Sequence, residues 1–247
     1  MKEVLYEKVL FFSLFILLFP SIVMAQDAER DIFKTSKGDL EVYFIGHASL
    51  IFKCGGKTIH IDPTNMVGDY SKLPKADLVF ITHEHFDHFD PKALGQISTS
   101  ETTIVATPAV AQQYKNCIVM KNGDMNTIEG LPVEAVPAYN IIHERSKGMP
   151  FHPKGIGNGY VITFGDVRVY IAGDTENIPE MKALKNIDIA FLPMNLPYTM
   201  TPEMVADATK AFNPKILYPC HFSETDTSKI ADLLKNEKIE VRIRNMK

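Results

Sequence analysis

Within seven residues, Thr82-His83-Glu84-His85-Phe86-Asp87-His88, the chain sets three imidazoles and two carboxylates at the end of an apolar run. At the histidine and aspartate content of this chain, a His-x-His-x-Asp-His string arises in roughly five of ten thousand sequences of this length, so chance is a poor explanation. Metal chemistry explains it better. Neutral imidazole and carboxylate suit zinc, with manganese and iron also compatible. Side chains two apart on an extended stretch point the same way, so His83 and His85 can grip one ion. The turn that follows can aim Asp87 and His88 at a second ion beside it. Paired divalent metals are a hydrolytic device, because they share a hydroxide and clamp the attacked group.

Such a string needs a scaffold, and the rest of the chain reads as mixed α and β. Short apolar runs predict strands over Leu40–Ile45, Ser49–Cys54, Lys57–Asp62, Leu78–Thr82, Thr103–Ala106, Gly159–Phe164, Val167–Ala172, Ile187–Leu192, Lys215–Tyr218 and Lys238–Arg244, the regular pattern starting after residue 37. Gly55-Gly56, Asn122-Gly123-Asp124 and Gly165-Asp166 are turn signals between them. Thr201 is an N-cap with Pro202 at the first helical position, and Met204, Val205, Ala208 and Phe212 form one apolar stripe that Asn213-Pro214 stops. Ile230, Leu233 and Leu234 suggest a second helix. Each half also repeats an order of events: a strand ending in a carboxylate (Asp62, then Asp174) and a later strand ending in histidine (His83, then His221). That order predicts a duplicated unit whose functional groups meet at one edge.

With these residues in view, the chain resembles the metallo-β-lactamase-fold hydrolase superfamily, over roughly residues 38 to 225. Asp62 in Ile61-Asp62-Pro63 matches the first motif of that family, a carboxylate behind the metal ligands, and His83–His88 matches the second. Asp174 in Gly173-Asp174-Thr175 matches the carboxylate that bridges both metals. His221 in Pro219-Cys220-His221 matches a ligand of the second metal. Gly46-His47-Ala48-Ser49 and the loop His152–Tyr160 look like the branch containing ascorbate-6-phosphate lactonase-like proteins and the phospholipase D that acts on N-acylethanolamine lipids. The resemblance implies an α+β fold, a four-layer αβ/βα sandwich, in a single domain over residues 26–247. It also implies two divalent ions, zinc by expectation with Mn2+ or Fe2+ possible. His83 and His85 would hold the first ion and Asp87, His88 and His221 the second, with Asp174 between them.

One motif departs from the family. Where the third motif normally offers a histidine to the first metal, after Val136-Pro137-Ala138-Tyr139, this chain has Asn140. An amide oxygen is a weaker zinc ligand than imidazole. Either Asn140 serves as ligand at a weak site, or His143 or His152 from the following loop replaces the missing group; the expectation is His152. Asp87 is the candidate catalytic group, orienting the hydroxide and passing its proton to the leaving group. Asp62 and His47 are expected behind the ligands, and Tyr198 and His152 at the substrate, with Met200 beside Tyr198 at the pocket mouth. Arg145, Lys147 and Lys154 are cations that could meet an anionic substrate but read more readily as a solvated loop. His60, Cys54 and Cys117 read as packing residues, and Cys220, adjacent to His221 on a strand, as facing away from metal.

The chain has 247 residues, 45% hydrophobic and 23% charged, which suits one large or two small globular domains. A formal charge of −4 without any Lys/Arg run gives no footprint for nucleic acid. Three cysteines cannot all pair internally. Val9–Ala25 is apolar apart from two serines and a proline, is shorter than the roughly 20 residues of a membrane span, and ends Val23-Met24-Ala25 before the polar stretch from Gln26. It reads as a secretory signal over residues 1–25, cut after Ala25, giving a secreted or periplasmic protein with no stable membrane span; an uncleaved anchor is the rival. The expected function is an exported metal-dependent hydrolase, using a metal-held hydroxide on a small-molecule ester, lactone, amide or phosphodiester. Two alternatives are a non-catalytic metal- or ligand-binding protein in which Asn140 marks a degraded site, and a nuclease of the ribonuclease Z kind.

Overall fold

A computed structural model describes residues 29–247. The apolar stretch Val9–Ala25 expected to be an export signal lies outside the described residues. Among the described residues no helix is long and apolar enough to cross a membrane.

Two seven-stranded sheets carry the chain. The first runs in sequence order: β1 (Arg30–Thr35), β2 (Gly38–Gly46), β3 (Ser49–Cys54), β4 (Lys57–Ile61), β5 (Leu78–Phe80), β6 (Thr103–Ala106) and β7 (Ile118–Val119). The second contains β8 (Met125–Ile128), β9 (Leu131–Ala138), β12 (Gly157–Phe164), β13 (Val167–Ile171), β14 (Ile189–Pro193), β15 (Ile216–Cys220) and β16 (Glu240–Val241). A small hairpin, β10 (Glu144–Ser146) and β11 (Met149–Pro150), stands apart from both. The helices are α1 (Pro91–Ile97), α2 (Pro108–Gln113), α3 (Pro179–Lys182), α4 (Pro202–Phe212) and α5 (Ser228–Leu234).

The period-two alternation of the strands sorts side chains into layers. Leu78 and Phe80 of β5 face the core between the sheets, whereas Val79 and the adjoining Ile81 pack outward with Ala93, Leu94 and Ile97 of α1 and Val110 of α2. Phe44 against Tyr218, Phe80 against Tyr160 and Phe52 against Phe164, with ring centroids 5.1, 5.3 and 5.6 Å apart, stitch one sheet to the other. On the far side, Phe212 of α4 meets Tyr170 of β13 edge-on. Helices therefore cover both outer faces of an α+β sandwich. α4 begins and ends where its sequence says: the Thr201 hydroxyl accepts from the Met204 N–H, and Asn213 adopts the left-handed conformation before Pro214.

The duplicated order of events has a structural counterpart with one correction. In the first sheet an antiparallel pair, β3–β4, continues through parallel β5 and β6; in the second, β12–β13 continues through parallel β14 and β15. Asp62 follows β4 directly and Asp174 follows β13 after Ala172 and Gly173, so both carboxylates leave the corresponding strand of their sheet. The histidines are not equivalent: His83 follows the first parallel strand of its sheet and His221 the second. An extra strand, β1 (Arg30–Thr35), precedes the first one that the hydrophobic pattern suggests, and the final strand is shorter, Glu240–Val241. β1 holds because Asp31 accepts the Tyr218 hydroxyl and ion pairs from Arg242 and Arg244, a polar anchor that apolar periodicity does not register.

Candidate metal centre

Strand ends deliver most of the chemistry-bearing residues to one edge of the sandwich. The chain leaves β2, β4 and β15 through residues in the left-handed region, His47 (φ 56°), Asp62 (φ 44°) and His221 (φ 45°). Non-glycine residues adopt that conformation at a cost of order 1–3 kcal/mol, and such outliers cluster at functional sites. Asp174 is turned inward by Gly173 at φ 63°, where a Cβ would come within 2.8 Å of the Asn158 carbonyl and 3.0 Å of Thr82; only glycine fits there.

Three groups of ligating atoms result among the described residues, each within 4.8 Å: His83, His85 and His152 in one, His47, Asp87, His88 and His221 in another, and His83, His88 and Asp174 in a third that links the first two. Asp174 lies between. Its Oδ2 is 3.2 Å from His152 Nε2 and 3.4 Å from His221 Nε2, and its Oδ1 is 3.3 Å from His88 Nε2. His83 Nε2, His88 Nε2, His221 Nε2 and Asp174 Oδ1 are buried without a hydrogen-bond partner among the described residues. Buried polar atoms are almost always paired, and four orphans converging on one cleft fit a site built for cations.

The electrostatics agree. Burial pulls the His221 imidazole down, but the Asp174 and Asp87 carboxylates outweigh it and push it up to about 10. His88 is raised on the same balance, burial against Asp174 and Asp62. Burial opposes ionisation of Asp174 and Asp87, yet the surrounding imidazoles hold both well below the usual carboxylate range. On the other side burial, reinforced by neighbouring imidazoles, lowers His83 and His85. Carboxylates this deep call for positive charge: protons on His88 and His221 supply it without a metal, and a divalent ion would take the place of those protons.

Behind this layer, Asp62 accepts from the Thr82 N–H, the Thr82 hydroxyl and His88 Nδ1, at 2.8, 2.7 and 2.8 Å. His47, expected behind the ligands, comes closer: its Nε2 is 3.1 Å from Asp87 Oδ2 and its ring lies 3.7 Å from that of His221, centroid to centroid. Of the three candidates at the third motif, Asn140, His143 and His152, it is His152 that stands with His83 and His85. The Asn140 oxygen is instead taken up by the His152 N–H at 2.7 Å and by its Nδ1 at 2.8 Å. His143 bonds Glu176 and takes no place in any of the groups.

An open cleft of about 440 Å3 leads to the site, lined by His47, Asp87, Asp174 and His221 on the floor and by Phe86, Arg145, Phe151 and Tyr198 around the mouth. Met200, expected beside Tyr198, is instead fully buried in the core. Lys154 turns away to Glu180 and Tyr139. His60 is packed against Tyr70 and donates to the Pro74 carbonyl, and the three cysteines are free. Sequence reasoning missed Glu176. This fully buried carboxylate accepts from the N–H groups of Ile141, Ile142 and His143 and from the Asn140 amide. Its position two residues after Asp174 is the one signal it offers.

Residues 41–221 match the family profile described as beta-lactamase superfamily domain. A metal-dependent hydrolase of the UPF0173 group from Exiguobacterium is 31% identical over 194 residues, covering 74% of this chain and 86% of the relative. A crystal structure from Parabacteroides distasonis, of a protein assigned as a metal-dependent hydrolase, is similar with a TM-score of 0.86 and 47% identity, covering 90% of this chain and all of that one. A metallo hydrolase from Ignicoccus hospitalis shares the fold at a TM-score of 0.68 and 24% identity, over 84% of this chain and 95% of that one.

Proposed function

The chain belongs to the beta-lactamase superfamily and is a metal-dependent hydrolase, and from that premise we propose that it cleaves a small ester, lactone, amide or phosphodiester with two divalent ions. The observation that carries this reading is the pair of ligand groups joined at Asp174, with four buried ligand atoms lacking any other partner. His83, His85 and His152 would hold the first ion. Asp87, His88 and His221 would hold the second, and Asp174 would touch both; zinc suits the imidazole-rich donor set. When bound, such a pair supplies an activated water and a polarised substrate oxygen.

The chain's own groups do the rest. Asp87 stays ionised beside His221 and His47, so one of its oxygens is available to accept a hydrogen bond from the attacking water and orient it. His47 donates from Nε2 to Asp87 and fixes that carboxylate. Phe86, Phe151 and Tyr198 give the mouth apolar walls for the substrate's carbon skeleton, and the depth of the floor excludes bulk water once the cleft is filled. His152 completing the first group favours a working site over a degraded one. The acidic chain, without a Lys/Arg run, favours a small molecule over RNA.

Export is part of the same proposal: residues 1–25 are removed and the mature protein starts at Gln26 in a secreted or periplasmic pool. The deciding assay compares a lactone panel, an activated phosphodiester and RNA, each with and without chelator. Chelator-sensitive turnover of a small substrate is expected; turnover of none of them by zinc- or manganese-supplied protein would overturn the hydrolytic reading. N-terminal sequencing of secreted material reads the export step, and protein retained in membranes with residues 1–25 intact would contradict it.

A further inference from the structure

We propose that Asn140 and Glu176 are positioning residues that fix His152 in its Nδ1–H tautomer, leaving the Nε2 lone pair for the first cation; the inference deepens the reading of His152 as a ligand and rests on it. The orientation of the Asn140 amide follows from its surroundings. On one side stand two groups that can only accept, the Glu176 carboxylate at 3.2 Å and the Tyr198 carbonyl at 2.8 Å. The Nδ2 amide must face them, so the carbonyl oxygen faces His152. That oxygen can only accept, and it sits 2.7 Å from the His152 backbone N–H and 2.8 Å from Nδ1. Nδ1 therefore carries a proton, and in the neutral ring, the form that can ligate a cation, Nε2 is bare. A bare Nε2 only 3.2 Å from Asp174 Oδ2 is lone pair against anion, an arrangement that a cation between them turns from repulsion into ligation.

Glu176 makes this arrangement rigid. It is fully buried, and each of its oxygens is already committed: Oε2 to the Ile141 and Ile142 N–H groups at 2.8 Å, Oε1 to the His143 N–H and Nδ1 at 2.7 Å. With both oxygens saturated by donors of the Asn140–His143 loop, the carboxylate cannot rotate, and it presents a fixed acceptor to the Asn140 amide. A second tie, from the Asn140 N–H to the His152 carbonyl at 2.9 Å, holds the two loops side by side. The asparagine at the position where the family offers a histidine is thus one step back from the ion: the ligand comes from the later loop, and the residue at the family's position aims it.

Long-range proton–nitrogen NMR correlations of the imidazoles read the tautomer directly, in zinc-loaded and metal-free protein, and competition with a chromophoric chelator gives zinc affinity for each site. The wild type should show His152 as the Nδ1–H form in both states. Asn140→Ala should mix the tautomers in the metal-free protein and weaken zinc at the first site about 10- to 100-fold, leaving the second unchanged. Asn140→Asp, which keeps an acceptor on Nδ1 but sets its second oxygen against the Glu176 carboxylate and the Tyr198 carbonyl, should retain the tautomer. Glu176→Gln, which sets an NH2 among donors, should weaken the first site as Asn140→Ala does. An Nε2–H tautomer in the wild type, or first-site affinity unaltered in Asn140→Ala, would overturn the proposal. A wild type that binds no zinc would overturn the two-ion reading, while its metal-free spectrum would still decide the tautomer.

Discussion

His88 Nδ1 lies 2.8 Å from Asp62 Oδ2, with both side chains wholly buried. The pair joins the two ends of the first sheet's chemistry, since Asp62 leaves β4 and His88 closes the His-x-His-x-Asp-His string that follows β5. Asp62 receives three donors, and an asparagine there could not: its amide would face either the Thr82 N–H or the His88 N–H. Asp62→Asn should therefore weaken the second metal about 10- to 100-fold and lower kcat with it, while the folded chain survives. Isothermal titration with zinc checks this; affinity unchanged at both sites would show that the aspartate is only a strut.

Asp174 stands within 3.4 Å of imidazoles from both groups, so its loss should be felt twice. Asp174→Ala is expected to retain almost no metal after gel filtration. His221→Ala should keep about one ion, at the His83 side, and His152→Ala about one, at the His88 side. Elemental analysis decides, and one full ion retained by Asp174→Ala would argue that the two groups are independent.

The parts of the molecule legible in the sequence are those whose signal is local. The strand runs that end in Asp62, Asp174 and His221, and the cap and stop of α4, are local patterns, and each appears within a residue or two of its expected limits. What was not legible depends on distant partners. β1 is held by Asp31 with Tyr218, Arg242 and Arg244, about two hundred residues away, while its Ile32 is half exposed. Glu176 gains its meaning only when a loop thirty-odd residues earlier folds its N–H groups onto it. His47 is expected behind the ligands, and the left-handed turn after β2 brings it there, but that its partner is Asp87, forty residues on, is set by the fold.

His60 should shape the acid limb of stability. Burial pushes its imidazole from 6.5 down to about 4, with the Pro74 carbonyl opposing only in part. The unfolded chain then takes up a proton at higher pH than the folded one, so stability is complete above about pH 6.5 and falls as pH drops toward 4, by about 3 kcal/mol in all. His60→Gln keeps a donor for Pro74 and removes the titration. Urea unfolding of the two proteins between about pH 7.5 and 4.5 should show the flatter dependence in His60→Gln; identical slopes would contradict the assignment.

Arg145 is the one Lys or Arg among the described residues lining the cleft, held on β10 with its guanidinium 5.8 Å from the Phe151 ring, and Phe151 in turn meets Tyr198 edge-on at 5.0 Å. A planar cation poised on an aromatic lip, facing a floor of His47, Asp87, Asp174 and His221, suits an anionic group remote from the bond that breaks. Such a contact is made alike in ground state and transition state, so its removal should act on binding. Arg145→Gln is expected to raise KM about tenfold for anionic esters, as loss of one charge-assisted hydrogen bond would, and to leave kcat and the KM of neutral lactones close to wild type. Steady-state kinetics on paired anionic and neutral substrates provide the check. Equal effects on both substrates would assign Arg145 to packing of the hairpin, and a fall in kcat alone would place it nearer the reacting atoms than its position on β10 implies.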